Sequence, residues 1–170
     1  MDSGAVYQIN TQTNQVVDTI AVGTEPNSIV KGSKGMLWVL CSGGFSEEKP
    51  SLVRIDPSDN TIVDDFTFPD IQQSPDNLAI DRSAGRLYYL NDGVYKMALE
   101  ASSLPEQPLV SSNDRVFYSL GVHQAVGEFY VSDAKDYTKK GDIYRYSRSG
   151  TLVDSFTAGI IPGHFTFYDQ

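Results

Sequence analysis

The chain has 170 residues, of which 40% are hydrophobic and 11% aromatic, and this composition excludes a disordered segment. Its 22 acidic residues outnumber 13 basic ones, so the formal net charge is −9, which argues against a protein that binds nucleic acid through clustered lysine and arginine. No apolar stretch of 18 residues occurs, so the sequence predicts no transmembrane segment.

The N-terminal residues 1–4 contain neither the basic region nor the apolar core of a signal peptide. This favours either a protein that is not exported in this form or a piece of a longer chain. Cys41 is the only cysteine, so no internal disulfide can form. It ends an apolar run that begins at Trp38, and this position predicts a buried structural thiol.

Short apolar runs recur along the chain with a period in the forties. Gly35, Gly85 and Gly127 each begin a fragment of the form Gly-x-apolar-aromatic, and they lie 50 and then 42 residues apart. A repeat of this length, filled with short strands and turn residues, is typical of β-propeller blades. The sequence therefore predicts an all-β fold, a β-propeller of about 3.5 to 4 four-stranded antiparallel blades, with strands labelled a to d from the inside out.

The blade pieces follow one another within a single predicted domain, 1–170. Their expected bounds are strands c and d at 5–21, three complete units at 26–67, 75–110 and 115–157, and a closing inner strand at 163–167. Asn14, Asn60 and Gly150 end the turns between strands c and d, and these residue types tolerate the left-handed conformation. In the unit 75–110 the pattern breaks at 100–108, which carries two prolines and predicts an irregular turn.

The two ends of the chain hold complementary parts of one blade, and three architectures account for this. The chain is a partial ring of a seven-bladed propeller that lacks its N-terminal blades, a self-closed four-bladed ring, or one half of a homodimer that shares blades in one ring. Open sheet edges invite further pairing, which argues against a half-ring that stays open and leaves these three architectures.

Two segments, 4–17 and 52–57, resemble the YncE-like, surface-layer-type propeller repeat. The C-terminal run 160–165 resembles the closing strand of exported seven-bladed propeller lipoproteins. The BtuG-type branch of that family binds cobalamin at the cell surface and passes it to an outer-membrane transporter. The resemblance implies a parent protein that is an outer-membrane surface lipoprotein with a corrinoid ligand. The export signal, the lipid-attachment cysteine and the first blades of that family are absent from this sequence.

The loops from strand b to c and from strand d to a are long, emerge on one face of such a propeller, and predict the functional face. Aromatic side chains there would cover a flat corrin ring, and amides and carboxylates would bond the amides at its rim. Taken singly, these residue types are also ordinary loop formers. The predicted ligand-binding residues are Asn27, Phe45, Asp76, Asn77, Asn91, Asp92, Phe117, Tyr118, Asp133, Asp136, Tyr137 and His164.

The chemistry-bearing residues favour binding over catalysis. We expect His164 to be a hydrogen-bonded residue near the central channel and His123 to pack or cap, and neither has a second ligand at the spacing of a zinc site. No phosphate-binding loop, nucleophile elbow or calcium loop occurs. The sequence predicts a non-enzymatic binding propeller without a cofactor; the alternatives are a protein-binding scaffold and, third, a metal-dependent hydrolase.

Overall fold

The structure is a computed structural model that describes residues 4–44 and 48–168. Strands make up most of this part of the chain, and its helical content is one three-residue 3-10 turn, Ser33–Gly35. No helix within the described residues has the length and hydropathy needed to cross a membrane. The all-β class predicted from the repeat is confirmed.

The chain divides into two compact units between Asp76 and Asn77, and each is described by itself. The first unit contains β1 (Ala5–Asn10), β2 (Gln15–Ala21), β3 (Pro26–Lys31), β4 (Leu37–Cys41), β5 (Ser51–Asp56) and β6 (Thr61–Thr67). The second, which begins within β7, contains β7 (Asp76–Asp81), β8 (Arg86–Leu90), β9 (Gly93–Ala98), β10 (Val110–Ser111), β11 (Phe117–His123), β12 (Glu128–Asp133), β13 (Lys140–Tyr146) and β14 (Leu152–Ile160).

In each sheet, every strand lies beside the next strand in sequence. The first unit has a two-stranded sheet I (β1–β2) and a four-stranded sheet II (β3–β6). The second unit has two four-stranded sheets, sheet III (β7–β10) and sheet IV (β11–β14). A four-stranded meander that runs from an inner to an outer strand is the blade of a propeller, as the repeat predicted.

The turn residues adopt the conformations that the repeat required. Asn14 and Asn60 have φ of 54° and 59°, and Gly150 has φ of 83°, so all three lie in the left-handed region. The glycines that precede strand b do the same, with φ of 83° at Gly35 and 62° at Gly85. Positive φ strains most side chains, and asparagine and glycine tolerate it best.

Each unit has its own apolar core between neighbouring sheets. In the first unit Ile20 of sheet I is buried with residues of sheet II, and Cys41 is fully buried among them. Burial raises the pKa of the Cys41 thiol, which agrees with the predicted structural role. In the second unit the core joins sheets III and IV and consists of Tyr88, Leu90, Val94, Leu120, Val122, Phe129, Val131 and Tyr146.

Trp38 is the largest fully buried side chain of sheet II, with 1% of its surface exposed. Its ring stacks on Phe66 with the centroids 6.0 Å apart, and the guanidinium of Arg54 lies 5.4 Å from the Trp38 ring. Arg54 is ion-paired with Asp64 on the next strand. The only tryptophan of the chain is therefore fixed within the first unit.

A buried carboxylate ties sheets III and IV together at their turns. Asp81 is completely buried and accepts hydrogen bonds from the Arg148 Nε at 2.7 Å, the Ser83 hydroxyl at 2.7 Å and the Ala84 amide at 3.0 Å. Burial works to raise the pKa of Asp81, but these hydrogen bonds and the charge of Arg148 outweigh it and hold the pKa below its usual value.

Two outer parts of the repeat differ from a regular blade. The outer strand of sheet III, β10, has only two residues, and no strand lies within 99–109, as the two prolines predicted. The predicted closing strand at 163–167 is wrong, because none of these residues belongs to a strand. Phe165 and Phe167 pack instead on sheet IV through their rings, and this contact takes the place of backbone pairing.

Candidate functional site

Two inner strands each have a β-bulge near their start, and each bulge exposes one side chain. The register of β3 against β4 skips Asn27, and that of β11 against β12 skips Tyr118. Both side chains are exposed. Because a bulge bends its strand and redirects the extra residue, these two predicted site residues are presented by the backbone of the blade itself.

Two predicted asparagines donate side-chain hydrogen bonds to backbone carbonyls of their own unit. The Asn27 Nδ2 donates to the carbonyl of Pro75 at 2.8 Å, and the Asn77 Nδ2 donates to the carbonyl of Tyr118 at 3.1 Å. Asn77 has φ of 55°, a conformation that asparagine tolerates. These amides therefore serve the scaffold, and Asn77 also fixes the backbone of Tyr118.

Tyr118 and Tyr137 form an exposed aromatic pair, which we name the ledge. Their ring centroids lie 6.0 Å apart and the ring planes meet at 82°, an edge-to-face arrangement. Tyr118 is 39% exposed and Tyr137 is 50% exposed. Among the described residues, neither hydroxyl has a hydrogen-bond partner. The structure thus brings together two of the aromatic residues that the sequence predicted, with both rings open to a ligand.

Two aspartates fix the loop 134–139 that carries Tyr137. Asp133 is 5% exposed, and its Oδ1 accepts the amides of Val116 at 3.0 Å and Lys135 at 2.8 Å. The Asp136 Oδ1 accepts the amides of Thr138 at 3.1 Å and Lys139 at 3.0 Å. These carboxylates were predicted to bind ligand, and in the structure they hold the loop backbone.

Tyr137 itself lies in the left-handed region, with φ of 62°. Its amide donates to the carbonyl of Ala134 at 2.9 Å. A bulky residue in this conformation is uncommon, and the strain is of the order of 1–2 kcal/mol. Hydrogen bonds around the loop keep the ring in this orientation, and such retained strain is a feature of binding sites.

Charged side chains surround the ledge loop. Lys139 Nζ lies 2.7 Å from the Asp136 carboxylate, and hydrogen bonding to Lys139 is the main reason that the pKa of Asp136 is well below its usual value. Lys135 Nζ lies 2.8 Å from Asp142, which raises the pKa of Lys135 and lowers that of Asp142. The sequence prediction missed Lys135, Lys139 and Asp142, although their alternating charges within 133–142 were a signal of an ion-paired loop.

The remaining predicted residues of the second unit lie in varied environments. Asn91 is 8% exposed, and its backbone N–H donates to the carbonyl of Gly93 within the turn. The exposed Asp92 accepts the Ser112 hydroxyl at 2.7 Å. Phe117 packs against the core of sheets III and IV. His164 is exposed and its ring contacts its neighbouring carbonyl rather than a partner on an inner strand.

Fewer of the predicted ligand-binding residues belong to the first unit. Phe45 lies outside the described residues, and Asp76 is half-buried at the start of β7. Asn27 borders a shallow cavity of about 270 Å³. The cavity is lined by Ala5, Val6, Pro26, Asn27, Ser28, Ile29 and Val39, five of which are apolar. Its few polar groups are engaged within the scaffold, so the ledge is the better candidate site.

The described residues contain no group of three or more histidine, cysteine, aspartate or glutamate side chains arranged to hold a metal ion. His123, the second histidine weighed from the sequence, packs with its ring centroid 5.0 Å from that of Phe167. The ledge offers aromatic ring surface and two hydroxyl groups, and charged side chains lie around its loop. Groups of these kinds pack against and hydrogen-bond a ligand.

No protein-family model matches the sequence, and no curated protein matches it. Among solved structures, the chain is similar to a quinonprotein alcohol dehydrogenase-like protein from Bacteroides thetaiotaomicron, with a TM-score of 0.65 and 18% identity over 84% of this chain and 36% of that one. It is also similar to the Dos1 propeller, with a TM-score of 0.62 and 16% identity over 91% of this chain and 42% of that one.

A third similar structure is the hydrazine synthase of Kuenenia stuttgartiensis, with a TM-score of 0.69 and 11% identity over 91% of this chain and 43% of that one. The chain therefore spans 36 to 43% of the length of these three structures. At such identities the likeness shows the fold alone. Together with the four-stranded meanders, it identifies the fold of this chain as a partial β-propeller.

Proposed function

We propose that this chain is part of a non-enzymatic, ligand-binding β-propeller, and that the ledge lies against the flat face of its ligand. The observation that carries the proposal is the half-exposed, edge-to-face pair of Tyr118 and Tyr137. A ring held in place by a fixed loop loses little freedom when a ligand binds, so its contact area contributes to affinity.

The ligand class that we propose is a cobalamin-like corrinoid. A corrin ring presents a broad flat face to aromatic side chains, and its rim amides suit the hydroxyls and charged groups around the ledge. The sequence resemblance to the BtuG-type branch supports this class. On the same resemblance we propose that the parent protein is an outer-membrane surface lipoprotein that passes its ligand to a transporter.

The test is a titration of the 170-residue chain with cyanocobalamin, followed by the absorbance of the corrin ring and by calorimetry. We expect Y137A and Y118A each to weaken binding by about tenfold, the effect of truncating an aromatic residue at the centre of a site. Y137F keeps the ring and should bind nearly as well as the wild type. The matched control is Y7A, because Tyr7 is 60% exposed and belongs to the first unit.

Absence of binding at micromolar cyanocobalamin would remove the corrinoid from the proposal. Binding that Y118A and Y137A leave unchanged would instead remove the ledge as its site. An equal loss in Y7A would point to a general effect of surface tyrosines.

A protein-binding scaffold without a small ligand is the second candidate function. The outer strand β14 favours it, because Leu152, Val153 and Phe156 are 48 to 52% exposed at a sheet edge that no strand of residues 4–44 and 48–168 pairs with. Exposed apolar residues on an edge strand are typical of surfaces that associate with other proteins. If this strand is the functional surface, V153D abolishes the capture of a partner and leaves cyanocobalamin binding unaffected.

A further inference from the structure

Tyr88 is fully buried between sheets III and IV, and its hydroxyl has no hydrogen-bond partner among the residues that the structure describes. Its ring packs on Phe129, with the two centroids 5.2 Å apart. A buried tyrosine usually finds a partner for its hydroxyl, because an unpaired buried polar group is unfavourable. Core packing therefore accounts for the ring of Tyr88 and leaves its hydroxyl unexplained.

Three cationic side chains lie around this hydroxyl, and with Tyr88 they form what we name the cationic cluster: Arg86, Tyr88, Lys96 and Arg148. Lys96 is directly opposite Tyr88 in the register of β8 and β9, and Arg86 precedes Tyr88 by two residues. Strand alternation therefore places all three on one face of sheet III. The Lys96 Nζ donates to the carbonyl of Arg148 at 2.8 Å, in the turn between β13 and β14. The cluster thus joins sheets III and IV at their turns.

The members of the cationic cluster act on one another electrostatically. Burial and the charge of Asp81 raise the pKa of Tyr88 to about 12, against the opposing charges of Arg148 and Arg86. The hydroxyl is therefore protonated at neutral pH and available as a hydrogen-bond donor. Burial and the charge of Arg86 lower the pKa of Lys96, so the two neighbouring cations repel each other.

The acidic side chain that contacts this cluster is Asp81, and it is already neutralised by Arg148, whose Nε lies 2.7 Å from its carboxylate. Within residues 4–44 and 48–168, no carboxylate forms an ion pair with Arg86 or Lys96, and Glu100, which follows β9, forms none at all. Three cations against one carboxylate leave a local net charge of about +2, although the whole chain carries −9. This charge attracts an anion.

The polar hydrogens that the cluster leaves unused within the described part of the chain are all donors. Arg148 engages its Nε with Asp81 and its Nη2 with the Ser83 hydroxyl, which leaves Nη1. Arg86 donates from Nη1 to carbonyls of its own turn, at 3.0 and 3.2 Å, which leaves Nε and Nη2. Lys96 uses one of its three protons. Arg86 is exposed, and both it and Lys96 are long side chains that can shift to admit an anion to the buried hydroxyl.

We propose that the cationic cluster binds a phosphate group, either inorganic phosphate or a phosphate monoester, which accepts hydrogen bonds from the Tyr88 hydroxyl, both guanidinium groups and Lys96. Four donor side chains exceed what the two oxygens of a carboxylate need, and arginine is well suited to phosphate oxygens. A phosphate carries a charge of about −1.5 to −2 at pH 7, which matches the charge of the cluster. The turn between β13 and β14 is at the opposite end of sheet IV from the ledge, so this site is independent of the proposed corrinoid site.

The test combines calorimetric titration of the 170-residue chain with sodium phosphate and thermal unfolding, both at pH 7 and at an ionic strength held constant with sodium chloride. Phosphate should raise the Tm of the wild type, because a ligand bound by the folded state stabilises it. We expect Y88F and R86M each to weaken phosphate binding by about tenfold, the loss of one hydrogen bond to a charged group. The matched control is K140M, because Lys140 is exposed and begins β13 at the end away from Arg148. K140M should bind phosphate as the wild type does.

Y88F removes only the unpaired hydroxyl, so without phosphate it should be at least as stable as the wild type. A clear loss of stability there would show that the hydroxyl is bonded in the unliganded protein and would overturn the proposal. So would a Tm that phosphate does not raise, tight binding of acetate, or phosphate binding that Y88F and R86M leave intact. An equal loss in K140M would attribute binding to general charge.

Titration with phenyl phosphate distinguishes the two sources of the phosphate group. Binding at least as tight as that of inorganic phosphate supports a monoester as the ligand, whereas weaker binding supports the free ion.

Discussion

Replacing Asp133 by alanine tests whether this buried carboxylate is a scaffold residue. It accepts two backbone amides, from Val116 and Lys135, at 3.0 and 2.8 Å, and is 5% exposed. A hydrogen bond to a charged acceptor contributes about 1.5–3 kcal/mol. Since the two bonds share one atom and do not add fully, we expect D133A to lower the free energy of unfolding by about 3 kcal/mol.

The assay is urea unfolding followed by far-UV circular dichroism. D133N keeps the accepting oxygen and loses only the charge, so it should recover more than half of the stability. The matched control is D70A, because Asp70 is exposed and its Oδ1 accepts one amide, that of Gln72, at 2.9 Å. A loss in D133A of less than about 0.5 kcal/mol, the usual range of surface substitutions, would refute the reasoning.

Three other predictions concern buried and strained positions. The Asp81 pKa is lowered in the folded state, so its contribution to stability is complete above its unfolded pKa of about 3.9 and is lost as the pH falls through the folded pKa. The free energy of unfolding should therefore be measured at pH values from above the unfolded pKa down to the folded pKa of Asp81. Over this pH range the wild type should lose its greater stability relative to D81N. F129A should destabilise the chain by about 3–5 kcal/mol, whereas F156A, at an exposed position, should change stability by less than about 1 kcal/mol. N77A should be less stable than N77G by about 1 kcal/mol in thermal unfolding, because the positive φ of Asn77 strains alanine and not glycine.

Much of the fold could be predicted because the repeat places residues that tolerate positive φ at the turns and apolar residues in the strands. The residues Asn14, Asn60, Gly35 and Gly85 were chosen from the sequence as turn residues, and all four have positive φ. Alternating apolar residues between these turns then left little freedom in where strands begin and end. The closing strand at 163–167 was predicted by the same pattern and is absent, since a strand also needs a partner that the pattern alone does not supply.

The candidate site was harder to predict because a loop residue of the right type can face either the ligand or the backbone. Asp133 and Asn77 have ligand-binding chemistry, but the structure engages both with main-chain groups. The β-bulge at Tyr118 and the left-handed φ of Tyr137 determine where those rings lie, and no sequence pattern predicts either feature. Whether the twelve predicted residues bind a ligand stays a prediction.

The single tryptophan makes the first unit separately visible to spectroscopy. Trp38 stacks on Phe66 inside sheet II, and the second unit contains tyrosine and phenylalanine but no tryptophan. Emission excited at the red edge of indole absorption therefore follows the loss of sheet II alone, whereas tyrosine signals are dominated by sheets III and IV. Coincident melting of both signals would mark one cooperative body, and separated midpoints would mark two that fold on their own.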